Sequence, residues 1–246
     1  MYRLKGLSEF KNLVHGFSTV ADGNMSFRWG NEEEVIKNKQ KFLESLGVYP
    51  ASCVQMQVLD DAVVREIAPE EAGISLEKDH VLEADALVTD RKGLFLFLVI
   101  ADCLPMIFFD RKRSVVSLAH LGWKSTDRKL APAVVGFMKE HYGSYPADIV
   151  VGIGPGVKKE SYRFPNPLQR ELGKEWEPFL DRSTAGFTAI DVVGYNRRQL
   201  IDAGIREENI SVSDVDTITS RDFFSHYRAQ RAGEKEGRFA AAVGII

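Results

Sequence analysis

Leu94-Phe95-Leu96-Phe97-Leu98-Val99-Ile100 runs straight into Ala101-Asp102-Cys103-Leu104-Pro105, and a second apolar run, Val115-Val116-Ser117-Leu118-Ala119, runs into His120-Leu121-Gly122-Trp123. A strand apolar at every position has both faces covered, which places residues 94–100 inside a layered sheet. Such a strand ordinarily ends in bland turn residues, whereas this one ends in an acid, a thiol and a proline. The second run ends in an imidazole followed by a glycine turn. If the two strands are neighbours, thiol and imidazole share one edge of the sheet. A thiol beside an imidazole is an activated nucleophile or half of a soft metal site.

Outward from this segment, strands are predicted at 53–59, 63–67, 84–89, 104–109, 114–119, 148–153, 209–213 and 238–245. A helix over 31–46 has Asn31 as N-cap, Glu34 three residues on and Gly47 as its stop. A second helix is expected from Thr126 or Asp127 to Gly143. Asn166-Pro167 opens a third, to about residue 176, and Asp191 opens a fourth, stopped by Gly204. The strands come in clusters rather than in strict alternation with helices. That pattern gives an α+β fold, with mixed sheets covered by helices. No linker, repeat or low-complexity run divides the 246 residues, and the expectation is a single domain over 1–246.

Composition narrows the function classes. The net charge of −3, with no block of lysine or arginine, argues against a nucleic-acid partner. Cys53 and Cys103 are the only cysteines, too few for a disulfide framework. Residues 1–17 alternate charged and apolar side chains, unlike a signal peptide, and no run approaches the roughly 18 apolar residues of a membrane span. The expectation is a cytoplasmic protein, monomer or homodimer, with no membrane partner.

Several blocks, in order, carry a resemblance. They are His15-Gly16-Phe17-Ser18-Thr19, Gln57-Val58, Asp85-Ala86-Leu87-Val88-Thr89, Ala101-Asp102-Cys103-Leu104-Pro105, Ala119-His120-Leu121-Gly122-Trp123, Ile153-Gly154-Pro155 with Tyr162, Phe223-Phe224-Ser225 and Gly237-Arg238. Together they resemble the laccase-domain (YfiH-like) family, described both as multicopper polyphenol oxidases and as purine nucleoside phosphorylases. The resemblance implies a layered α/β/β/α sandwich with mixed β-sheets. It also implies a phosphorylase or deaminase acting on adenosine or inosine, with phosphate as co-substrate. Zinc or copper would be held by one cysteine and two histidines, of which Cys103 and His120 are present. Asp102 joins them as a catalytic candidate. Lys124, Gln57, His15 and Tyr162 are the candidates for substrate binding.

The chain departs from the family pattern at the third ligand, where Gln-Val-His-Gly reads Gln57-Val58-Leu59-Asp60. Leucine cannot ligate a metal. Asp60 could replace the histidine only across a bulge or turn, because successive strand residues face opposite ways. His80, in a polar loop before the Asp85 strand, is the best candidate for a replacement ligand, while Cys53 lies about 20 Å away along the strand. Gly-Trp-Arg-Gly reads Gly122-Trp123-Lys124-Ser125, and the arginine after His-Gly-Phe-x-Thr is Val20. Three outcomes follow: a metal-dependent nucleoside enzyme with an altered site, a metal-free Cys103–His120 hydrolase or transferase, or a silent nucleoside-binding homologue. Polyphenol oxidation fits least, since multicopper chemistry needs many histidines and this chain has five, with no His-x-His pair.

Overall fold

The computed structural model describes residues 1–67, 69–71 and 82–246. Its first nine strands are β1 (Leu13–Phe17), β2 (Cys53–Gln57), β3 (Val64–Glu66), β4 (Leu82–Glu83), β5 (Ala86–Thr89), β6 (Phe95–Ile100), β7 (Leu104–Asp110), β8 (Val115–Leu121) and β9 (Ile149–Ile153). Three short strands, β10 (Arg163–Phe164), β11 (Leu180–Asp181) and β12 (Thr188–Ile190), make a small sheet of their own, and β13 (Ile210–Val212) and β14 (Phe239–Ile245) complete the set. The helices are α1 (Lys5–Ser8), α2 (Glu32–Ser45), α3 (Trp123–Asp127), α4 (Leu130–Tyr142), α5 (Gln169–Leu172), α6 (Val192–Asp202) and α7 (His226–Ala232).

Two mixed sheets, ordered β1-β14-β6-β2-β4 and β13-β9-β7-β8-β5-β3, pack face to face. Strand parity builds the layers. Leu96, Leu98 and Ile100 of β6 face the core between the sheets, with Ile107 and Phe109 of β7 and Ala241 and Val243 of β14. The alternate residues Phe95 and Phe97 meet Phe42 and Leu43 of α2 on the outside. On the opposite outside face, Met106 and Phe108 pack with Leu130, Val134 and Met138 of α4 and Leu200 of α6. The result is the expected α/β/β/α sandwich.

The chemistry-bearing segment is the crossover between the sheets. β6 belongs to one sheet and β7 to the other, and Ala101-Asp102-Cys103 alone joins them, with Asp102 at φ +70°. Strand 94–100 is therefore not the neighbour of 115–119. The thiol reaches the imidazole because β7 pairs antiparallel with β8, placing Pro105 opposite His120.

Other expectations are refined. The helix expected to run to Gly143 is two, broken where Lys129 takes φ +62° between α3 and α4. The helix expected from Asn166-Pro167 shrinks to the four residues of α5, because Gly173 takes φ +145° and a 3₁₀ segment (Lys174–Phe179) follows. The strand expected over 53–59 stops at Gln57. Among the described residues, no helix is long and apolar enough to cross a membrane.

Candidate active site

Cys103 and His120 converge over Gly122. A Cβ at Gly122 would lie 3.0 Å from Cys103 Sγ and 3.5 Å from His120 Cε1, so glycine keeps the space between them open. Ser125 fixes this turn: its hydroxyl donates to the His120 carbonyl at 2.8 Å and accepts from the Gly122 N–H at 2.9 Å. Gly154 and Gly156 back the crossover at close range. A Cβ at Gly156 would lie 2.5 Å from Leu104 and 3.0 Å from the Asp102 carbonyl, so the glycine run serves packing rather than nucleotide binding.

The third member of the cluster is Asp60. The chain leaves β2 and turns, with Asp60 at φ +63° and Ala62 at φ +60°. The turn is imposed by Asp85, a fully buried carboxylate just ahead of β5. It accepts four backbone N–H bonds, from Leu59 (2.9 Å), Asp60 (2.6 Å), Asp61 (2.9 Å) and Val63 (3.0 Å). The Asp60 carboxylate is thereby brought 3.8 Å from His120 Nδ1 and 3.4 Å from Lys124 Nζ, while Leu59 is 38% exposed. Arg128 clamps the same loop through the Asp60 carbonyl and the Asp61 carboxylate.

Burial pushes the Cys103 thiol up to about 12, with the charges of Asp102 and Asp60 adding to the rise and Arg238 opposing it. Burial holds His120 below the usual imidazole value, against the pull of Asp60 and Asp85. At neutral pH the pair is thus a thiol beside a neutral imidazole, not a thiolate beside an imidazolium. Nothing in the electrostatics favours the metal-free nucleophile.

Residues 10–246 match the family model described as multi-copper polyphenol oxidoreductase laccase. The purine nucleoside phosphorylase YlmD of Bacillus subtilis is 30% identical, over 87% of this chain and 78% of its own. Two crystal structures superpose closely: YlmD from Geobacillus stearothermophilus (TM-score 0.87, 26% identity, 96% of this chain and 93% of that one) and the hypothetical protein YfiH of Bacillus licheniformis (TM-score 0.85, 27% identity, 95% and 93%). The chain belongs to the laccase family.

The family's multicopper description implies a metal-binding site, and Asp60, Asp85 and His120 have ligand-type atoms within 4.8 Å of one another. Of these, Asp85 has both oxygens committed to the loop and acts as its base plate. His120 Nδ1 is buried without a hydrogen-bond partner among the described residues, an atom left free for a ligand. Its 3.8 Å separation from Asp60 Oδ1 exceeds a hydrogen bond and lies within the span of two ligands each about 2 Å from one ion. His120 nitrogen and Asp60 oxygen are donors that suit a borderline-soft metal, and Cys103 is not part of this group.

The other predicted residues divide. Tyr162 lines the small hollow around Cys103 with Trp123, and Lys124 stands over Asp60. Gln57 lines a separate cavity. Asp102 does not orient the imidazole: its carboxylate accepts from Thr217 Oγ1 (2.8 Å) and the Tyr227 N–H (2.7 Å), tying the C-terminal segment to the crossover. His15 is buried and accepts the Leu4 N–H at 3.1 Å, tying the chain ahead of α1 to β1, with burial lowering it to about 4. His80 lies outside the described residues. Asp85 and Arg238 were not foreseen as site residues, and only their place in the family blocks marks them in the sequence.

Proposed function

We propose that this chain is a purine nucleoside phosphorylase whose reacting centre is Cys103, His120 and Asp60, with zinc or copper as the metal. The observation that carries this reading is the Asp60 turn, which puts a carboxylate where Leu59 leaves the family's ligand set short. A metal held there would supply Lewis-acid polarisation of the reacting group and displace the Cys103 proton. The chain's own residues do the rest. Trp123, Tyr162 and Phe164 line a cavity of about 240 Å³ next to Cys103, and their faces suit a stacked purine. Neutral His120 can pass a proton, and Lys124 offsets negative charge. In the reaction a phosphate oxygen bonds to ribose C1′ as the C1′–N9 bond breaks. The electron pair stays on N9, which receives the proton released by the phosphate, giving ribose 1-phosphate and free base.

The test is incubation of purified protein with inosine or adenosine, with and without phosphate, reading base and ribose 1-phosphate. Equimolar, phosphate-dependent products that vanish in Cys103→Ser support the reading. Phosphate-independent conversion of adenosine to inosine would replace it with deamination. Nucleoside binding without any turnover would favour the silent homologue, the reading that the loss of a histidine at Leu59 supports.

A further inference from the structure

Lys39, in the middle of α2, is fully buried yet pairs with no carboxylate among the described residues. Its Nζ donates to Gln55 Oε1 at 2.7 Å and sits 4.1 Å from the Phe27 ring centre and 5.8 Å from that of Phe97. One amide and two ring faces are thin compensation for a desolvated cation, and burial alone lowers the ammonium to about 8. The ammonium does not face solid core. It lines a cavity of about 310 Å³ with Arg28, Arg238, Gln55, Gln57 and Trp29.

Among the described residues, three cations line this cavity and no carboxylate does. Arg28 and Arg238 lie 5.1 and 5.5 Å from the same Trp29 ring, so two like charges are gathered on one indole. Arg238 is partly offset by Glu236, at 2.8 Å outside the lining, whereas Arg28 and Lys39 have no acidic partner among the described residues. A protein that holds three donors of one sign around an opening stabilises an anion there, and guanidinium plus ammonium match a tetrahedral oxyanion. Two links run from the cavity to the reacting centre. Gln57 and Val58 line the cavity, and the same backbone reaches Asp60 two residues later, while the charge of Arg238 is felt at Cys103.

We propose that the Lys39–Arg28–Arg238 cavity binds a phosphate dianion. Its identification as the inorganic co-substrate rests on the phosphorolysis reading; the phosphate group of a sugar or nucleoside ester would satisfy the same donors. Calorimetric titration at pH 7 with inorganic phosphate, and separately with ribose 1-phosphate and adenosine monophosphate, distinguishes the sources. It is made on wild type, Lys39→Met and Arg28→Gln, the last an exposed position where folding is not at risk.

Free phosphate is expected to bind wild type, at least about tenfold more weakly to Lys39→Met, and measurably more weakly to Arg28→Gln. Binding of esters only, with the same sensitivity to both variants, supports the phosphate site and assigns it to an ester. Phosphate affinity unchanged in both variants, or no binding of any of the three, overturns the proposal. The two readings also separate. Phosphorolysis with an unchanged phosphate KM in both variants removes this cavity and keeps the phosphorylase, while variant-sensitive phosphate binding without turnover keeps the cavity and removes the phosphorylase.

Discussion

Leu59 and Asp60 show how a site can be altered by a single turn. Strand parity puts Asp60 on the wrong face for a ligand, and it would stay there if β2 continued. Asp85, some 25 residues on, ends the strand by collecting four N–H groups from 59–63 and so rotates Asp60 toward His120. The sequence names both aspartates, but local pattern cannot reveal which backbone groups a distant carboxylate will collect. Asp85→Ala would remove the common acceptor of four part-buried N–H groups, so a loss of about 2–3 kcal/mol in urea denaturation is expected. A loss under 1 kcal/mol would mean the loop is held by other contacts.

Lys39 carries a pH signature of its own. A lysine whose folded value falls to about 8 from an unfolded 10.5 binds its proton more readily in the unfolded chain across that window. Stability should therefore rise with pH from about 8 toward 10.5. The groups facing it are Arg28 and Arg238, both cationic throughout, and neutral Gln55, Phe27 and Phe97. Melting temperatures across this range should rise in wild type relative to Lys39→Met; parallel curves would contradict the burial of a charged amine.

At the scale of elements, α2 and α6 start where Asn31 and Asp191 stand, whereas the Asn166-Pro167 signal is followed only by the short α5, from Gln169. Asn31 caps α2 by accepting from the N–H groups of Glu33 (3.0 Å) and Glu34 (3.3 Å), and three glutamates occupy the first turn. Asn31→Ala should cost about 1 kcal/mol in chemical denaturation. Because α2 carries Lys39, the same change should weaken phosphate binding only through fraying; an effect as large as that of Lys39→Met would place Asn31 at the ligand itself. Elements that depend on tertiary contact were less legible. The break at Lys129 uses a left-handed residue that is not glycine, and nothing in the local pattern marks it. Asp102 looked catalytic because it precedes the thiol, and its partners, Thr217 and Tyr227, come from more than a hundred residues away.

At the scale of the molecule, the two-sided apolar character of 94–100 was enough to demand a layered core, and the layers are there. Pairing order was not legible, because β14, the last strand, inserts between β1 and β6. The same topology makes the site, since a three-residue crossover between sheets sets Cys103 opposite the end of β8, and the β2–β3 link brings in Asp60. We propose that these three side chains form one metal centre despite Leu59. It is tested most directly by elemental mass spectrometry of untagged protein, on wild type, Asp60→Ala and Cys103→Ala. Near-stoichiometric zinc or copper in wild type, lost in both variants while each keeps its circular dichroism spectrum, is the expected result. No metal in wild type, or full metal retained by Asp60→Ala, would contradict it.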